Sequence, residues 1–272
     1  MIKITGKEFF ELAELVEERF GIHLKEEKKA LVEGRLFSVL QSGEYSSFSH
    51  YIEKVRQDRT GNLLTTLVER ITTNHTYFLR EKEHFDFLRE IVLPHLNKTL
   101  KDRDIRIWSA GCSTGEEPYS IVMTLSDYLG FDKDRWEYKI LATDISKRVL
   151  EYAWNGVYFD EALANVPDKW KKLYFSKIDE LYIKVSDEVK AQVLFRNLNL
   201  KSSSFPFKRK FHVIFCRNVM IYFDRQMKKE VIENFYKFLE PGGYLFIGHS
   251  ETINDINPGF EYIRPAIYRK RM

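Results

Sequence analysis

The residues best suited to chemistry lie between Ile105 and Met123. A short apolar run, Ile105-Arg106-Ile107-Trp108, leads through Gly111-Cys112-Ser113-Thr114-Gly115 into Glu116-Glu117-Pro118-Tyr119. The order is strand, glycine turn, acidic pair, helix. An α/β protein presents a nucleotide-like ligand in this way at the carboxyl end of its first strand. A phosphate cradle would place bare backbone N–H groups there, with or without a Lys. Glu116 and Glu117 instead repel a pyrophosphate and attract a cation. The pattern G-x-G-x-x-G is absent, which disfavours a nicotinamide oxidoreductase. A ligand that is cationic near its reactive end, such as the sulfonium and amino group of S-adenosylmethionine, suits this turn. The bland alternative is a strand-to-helix turn whose glutamates complement the helix dipole.

Three further groups attract attention. Asp144 closes the strand Tyr138–Asp144, where an acid can accept hydrogen bonds from both ribose hydroxyls or simply cap the next helix. The block Phe211–Asp224 carries Arg217, Asn218 and Tyr222 to the end of an apolar strand. A polar Arg-Asn pair there is poor core filling, because buried polar groups need partners; it either meets a ligand or caps neighbouring backbone. The run Ile71–Glu81 carries Arg80 near its end and, by its residues alone, reads as an interdomain linker with a helix cap. His75, His84 and His95 show no metal-ligand spacing with cysteine or acid partners, so no metal is expected.

The elements that position these groups follow from periodicity. Residues 1 to about 75 read as helical throughout. Phe9, Leu12, Ala13, Leu15 and Val16 recur at helical spacing, as do Leu24, Ala30, Leu31, Leu36 and Leu40, with Gly43 as a stop. Phe48, Ile52 and Val55 mark a third helix and Leu63 to Ile71 a fourth. From Ile105 onward strands (105–109, 138–143, 211–217, 243–248) alternate with helices (116–130, 145–154, 225–239). Such alternation predicts a mostly parallel, doubly wound sheet. The segment 156–200 breaks the rhythm with β-rich pieces, Glu180–Val185 and Glu188–Phe195, joined by a tight turn at Ser186-Asp187; it reads as a small insertion. Tyr262 to Tyr268 suits a last strand.

The 272 residues allow one large domain or two ordinary ones. A net charge of +3 is too small to argue for nucleic acid. No apolar run approaches membrane-spanning length, and Met1 to Gly6 does not resemble a signal peptide. Two cysteines, Cys112 and Cys216, fit a reducing cytoplasm better than a disulfide framework.

Taken in order, the blocks resemble the CheR family of S-adenosylmethionine-dependent methyltransferases, which esterify glutamates of bacterial chemoreceptors. The likeness is carried by Thr72–Glu81, Trp108–Ser120, Ala142–Ile145, Phe215–Phe223 and Gly248–Glu251, and covers nearly the whole chain. It implies an N-terminal helical domain (1–75) for receptor recognition and a class I, Rossmann-like methyltransferase domain (76–272). A small antiparallel β subdomain is inserted in the latter at about 156–200. It further implies that Asn74, Thr76 and Arg80 reach over the donor and that Glu117 and Asp144 hold its polar edges. Asn199 and Leu200 would lie beside the adenine, and Arg217 and Asn218 would line the methionine side. Arg80 and Tyr222 would stand at the transfer site, and S-adenosylhomocysteine would be the product.

The sequence departs from the family in three places. Leu79 stands where Phe is usual. The second helix carries only Arg35 where some members have an arginine run; residues 1–70 hold eleven Lys+Arg and twelve Asp+Glu, so attraction to an acidic receptor helix is weak there. Lys25, Lys28 and Lys29 are the partial substitutes. The stretch Phe175–Glu180 lacks the glycine-containing loop with which some members bind a receptor C-terminal pentapeptide, so no need for that tether is expected. A methyltransferase of another protein or a small molecule is the rival reading. A non-catalytic donor-binding module ranks below it, since Arg80 and Tyr222 are both present. The expected partners are the cytoplasmic helical region of chemoreceptors, with no nucleic acid and no membrane insertion. The expected location is the cytoplasm, at membrane-bound receptor arrays.

Overall fold

A computed structural model describes residues 3–43, 45–72, 76–256 and 259–272. Contacts divide the chain into two compact units, one of Met1–His75 with Tyr222–Lys228, the other of Thr76–Ile221 with Lys229–Met272.

In the first unit, four helices bury one face each: α1 (Gly6–Phe20), α2 (Lys29–Ser42), α3 (Phe48–Gln57) and α4 (Asn62–Ile71). A capping box starts α1: Glu8 N–H donates to the Thr5 hydroxyl at 3.2 Å while Thr5 N–H donates to the Glu8 carboxylate at 2.8 Å. Gly21 ends it in the left-handed region, φ 69°, where an added Cβ would meet the Met227 side chain at 2.7 Å. The stripe expected on α2 is shifted. Val32, Leu36 and Leu40, a strict four-residue repeat, are buried, whereas Ala30 and Leu31 are exposed. Beyond α1, Ile22 bridges Phe223 antiparallel and His23 N–H donates to the Tyr222 carbonyl at 2.8 Å.

The second unit begins with α5 (Lys82–Phe87), which continues through a π-helical stretch, Leu88–Val92, into α6 (Leu93–Thr99). Then come β1 (Asp104–Ala110), α7 (Glu116–Leu129), β2 (Glu137–Asp144) and α8 (Lys147–Asn155). A three-stranded antiparallel sheet follows, in the order β3 (Val157–Phe159), β5 (Tyr182–Val185), β4 (Phe175–Lys177), with α9 (Asp168–Tyr174) before β4. The chain continues through α10 (Asp187–Lys190), β6 (Val193–Asn197), β7 (Phe211–Cys216), α11 (Arg225–Phe238), β8 (Leu239–Ile247), β9 (Phe260–Arg264) and β10 (Ile267–Lys270).

The main sheet has seven strands in the order β6-β2-β1-β7-β8-β10-β9, parallel except for the pairs β8–β10 and β10–β9. This is a doubly wound, Rossmann-like α/β architecture, and its core is sheet-centred. Ile107, Trp108, Val213, Ile214, Phe215, Leu245 and Phe246 are all fully buried. Phe215 and Phe246 stack across β7 and β8 at 4.4 Å. Among the described residues no helix is long and apolar enough to cross a membrane.

The insertion is smaller than its composition suggests. Ser186 accepts from Val189 N–H and starts α10 where a tight turn was expected. The following strand leaves the small sheet: Val193 to Asn197 pairs parallel with Ile140 to Asp144 at the edge of the main sheet. A five-residue β-rich run cannot reveal which edge it joins, because both sheets offer one. The last strand is likewise two, β9 and β10, turning at Ala266 with φ 62°.

Candidate functional site

From β1 the chain winds outward to β2 and β6 on one side, then returns to place β7 on the other. The order reverses between β1 and β7, and ligands of open α/β sheets bind beyond the carboxyl ends at such a point. The turn after β1 occupies that place. Gly111 and Gly115 have φ 89° and 96°. A Cβ on Gly111 would lie 2.4 Å from Val219 Cγ2, and one on Gly115 would lie 2.8 Å from Ala153 Cβ. Glycine is therefore required twice, for conformation and for close approach. Gly111 N–H and Cys112 N–H both donate to the Thr143 carbonyl, at 2.8 and 2.9 Å, locking the turn to β2.

The acidic pair divides its labour. The buried Glu116 accepts from the Thr114 hydroxyl at 2.7 Å, and burial raises its pKa. Glu117 turns back toward β1: Ser109 donates to its Oε1 at 2.7 Å and Arg217 Nη1 to its Oε2 at 3.1 Å. Burial raises Glu117 more than Arg217 and Ser109 lower it. A cation arriving beside it reverses that balance, so ligand binding and ionisation of Glu117 reinforce each other.

Arg217 is the hub. Its side chain is buried, and besides Glu117 it donates to Glu81 Oε2 from Nε at 3.3 Å and Nη2 at 3.1 Å, and to the Arg80 carbonyl. Burial alone would raise Glu81, but the Arg217 guanidinium and its hydrogen bonds prevail and the pKa is lowered. Leu79 and Glu81, on either side of Arg80, have φ 58° and 54°. With Ser113 (47°) and Asn218 (59°) they make four of the six described non-glycine residues at positive φ. Backbone strain thus gathers around this one place.

Asp144 lies at the end of β2. Its carboxylate accepts from Ser113 N–H at 2.9 Å and from Ser146 N–H at 3.0 Å. The cap of α8 is Ser146, whose hydroxyl accepts from Val149 N–H. That relieves Asp144 of the capping role its sequence position allowed. Asn199, after β6, accepts from Lys201 N–H at 3.0 Å, and Leu200 is buried beside it. Asn218 is held by Glu251, whose carboxylate accepts from Asn218, Gly248 and Ile221 N–H at 2.9, 2.6 and 3.1 Å.

The second unit therefore brings Arg80, Glu117, Asp144, Asn199, Leu200, Arg217 and Asn218 to the carboxyl edge of the sheet or the loop packed on it, with Thr76 half-buried at the start of that loop. Asn74 lies outside the described residues. Tyr222 belongs to the first unit. Ser113 Oγ is buried without a hydrogen-bond partner, an orphan polar atom inside the glycine turn. This orphan, two anchored carboxylates and the absence of any lysine in the turn between β1 and α7 fit a sulfonium donor with a ribose and an amino group.

Comparison with known proteins agrees with this geometry. Residues 74–268 match the family described as CheR methyltransferase, SAM binding domain, and residues 7–72 match CheR methyltransferase, all-alpha domain. The chain belongs to the CheR methyltransferase family. It is 44% identical to the chemotaxis protein methyltransferase of Borreliella burgdorferi, over 99% of this chain and 96% of that one. To the chemotaxis protein methyltransferase of Escherichia coli it is 35% identical over 98% and 92%, and to a probable one of Rhizobium etli 39% over 92% and 94%. S-adenosylmethionine is thus the methyl donor of this CheR protein.

Two features of this CheR chain were not legible beforehand. Glu81, Ser109 and Glu251 fix the site, yet their partners lie 136, 8 and 33 residues away, and only Ser109 to Glu117 was within reach of local reading. The lone arginine of α2 is also occupied: Arg35 Nη1 donates to the carbonyls of Arg70, Ile71 and Thr72 at 3.2, 3.0 and 3.0 Å, closing the end of α4.

Proposed function

We propose that the chain transfers the methyl group of S-adenosylmethionine to glutamate side chains of chemoreceptors, giving methyl esters and S-adenosylhomocysteine. The observation that carries this reading is the pair of anchored carboxylates, Glu117 and Asp144, at the glycine turn, with Arg80 in a strained turn pinned through its own carbonyl by Arg217. The relatives' shared name, chemotaxis protein methyltransferase, supports the receptor as acceptor.

When bound, the donor supplies an electrophilic methyl group on sulfur. Glu117 would hold its amino group and Asp144 its ribose, with Thr76, Asn199, Leu200 and Asn218 completing the cradle. Arg217 serves indirectly, by aiming Glu117. The acceptor carboxylate, with an ordinary pKa of about 4.3, is already ionised at neutral pH, so no general base is required. Arg80 would orient it by charge-assisted hydrogen bonds. Alignment of this kind is worth roughly 7–11 kcal/mol of a barrier. Too firm a grip on the ground-state carboxylate would dull its nucleophilicity, so Arg80 must orient more than bind. Residues 1–75 present the receptor helix, in the cytoplasm at receptor arrays, and no receptor pentapeptide is needed.

A second reading, methylation of another protein, is favoured by one observation: Arg35 is occupied by backbone carbonyls. The test is incubation with labelled S-adenosylmethionine and receptor-bearing membranes. Label on the receptor band that mild base releases as methanol supports the glutamate ester. Base-stable label, or label confined to other proteins, refutes it.

A further inference from the structure

Glu81 and His84 stand three residues apart at the start of α5, and the turn after β8 brings His249 to them from 165 residues further on. His84 Nδ1 lies 3.4 Å and His249 Nε2 4.0 Å from Glu81 Oε2. The two imidazoles are 4.8 Å apart and nearly perpendicular, at 82°. All three potential ligand atoms fall within 4.8 Å of one another.

His84 is the anomaly. It is only 1% exposed, and neither ring nitrogen makes a hydrogen bond; the approach to Glu81 lacks hydrogen-bond geometry. A buried polar group left so is costly, and its neighbours do not explain it. Phe246 meets the ring edge-on at 5.6 Å and offers no acceptor. His249, by contrast, has a side chain 46% exposed, so the cluster opens to solvent on one side.

We propose that Glu81, His84 and His249 form a site for a divalent transition metal such as Zn²⁺. Two imidazoles and one carboxylate are the donor set such ions take, with the remaining position left to water. Bonds of about 2.0–2.2 Å need the ligands to close by about an ångström. The exposed His249 supplies that movement. Arg217, already on Glu81, acts as the outer partner that orients the carboxylate. Glu117 on the far side of Arg217 offsets the guanidinium charge that would otherwise repel the ion. None of the three ligands is a group assigned to the donor; Glu81 is tied to those groups through Arg217.

The test uses the untagged full chain and Co²⁺ as a spectroscopic probe. The expected result is one ion bound, with visible ligand-field bands and paramagnetically shifted imidazole resonances. His249→Ala, at an exposed position, should weaken binding at least about ten-fold, and His84→Gln should do the same while thermal unfolding reports its fold. The His23–Glu17 pair is exposed and is the obvious competitor, so His23→Ala should leave binding unchanged. Absence of the bands at about millimolar Co²⁺, or equal binding by His249→Ala and the parent chain, overturns the proposal.

Discussion

Arg217 Nη1 donates to Glu117 Oε2 at 3.1 Å, joining the end of β7 to the first turn of α7 across 100 residues of sequence. The same guanidinium holds Glu81, so one side chain fixes two carboxylates. Removing one partner of a buried ion pair costs about 3–5 kcal/mol, because the other charge stays buried. Arg217→Ala should therefore lower unfolding stability by about that amount and weaken S-adenosylhomocysteine binding in calorimetry. Arg217→Lys keeps the charge but not the fork that spans both acids, and should fall between the two. Parent-like affinity in Arg217→Ala would contradict the hub role.

Asp144 and Arg80 should fail differently. Asp144→Ala removes the proposed ribose contact and the anchor of Ser113 N–H, so the KM for the donor should rise while turnover at saturating donor changes little. Arg80→Ala should instead lower turnover on the acceptor by about a hundredfold or more, with donor affinity near that of the parent chain. Steady-state kinetics with each substrate varied separates the two. Matching profiles would show that one of these roles is misassigned.

Glu251 is not among the groups assigned to the donor, yet it sets Asn218. Its carboxylate collects three backbone N–H groups, and burial raises its pKa. Glu251→Gln puts an amide donor among donors and should loosen the Asn218 turn, weakening donor binding roughly ten-fold at a stability cost of about 1–3 kcal/mol. Gly248→Ala attacks the same turn from the other side, since its Cβ would fall 2.5 Å from Asn218 Nδ2 and 2.8 Å from Asn218 N. Both variants should share one phenotype in isothermal titration.

Arg35 separates structure from docking. Its guanidinium closes the carbonyl end of α4, so Arg35→Ala should destabilise the helical unit by about 1–2 kcal/mol. Arg35→Lys should recover part of that stability. If receptor methylation tracks stability across the pair, Arg35 is a cap. Loss of methylation in the stable Lys variant would restore it to a docking role. Deleting the receptor's C-terminal tail should leave the rate unchanged.

The doubly wound sheet was legible because alternation of strand and helix is periodic and local. So were the two glycines of the β1–α7 turn, whose need for positive φ has a compositional mark. Asp144 was legible as a position, whereas the cap of the following helix is Ser146. What stayed hidden depends on long-range closure. Nothing near Glu81 announces Arg217, nothing near His84 announces His249, and Val193–Asn197 carries no mark of the sheet it joins. These pairings follow from which strand neighbours which, a choice made by the whole core and not by any window of sequence.

His212 gives the protein an acid limit. It lies buried on β7, where its Nδ1 accepts from Arg106 N–H at 3.1 Å. Burial first, and the Arg106 guanidinium second, lower its pKa to about 4 despite Asp102, Asp104 and Glu240 nearby. Protonation would also place a hydrogen on the nitrogen that accepts from Arg106. The unfolded chain binds a proton near pH 6.5, the folded one only near 4, so the unfolded state holds more protons in between. Stability is complete above about pH 6.5 and falls as the pH drops, by up to about 1.4 kcal/mol per pH unit for this group, levelling below about 4. His84, lowered to about 3 mainly by burial, acts with the same sign in metal-free protein. Urea unfolding between about pH 7.5 and 5 should show the decline, and His212→Gln should roughly halve its slope. An unchanged slope in that variant would mean that the acid sensitivity resides elsewhere.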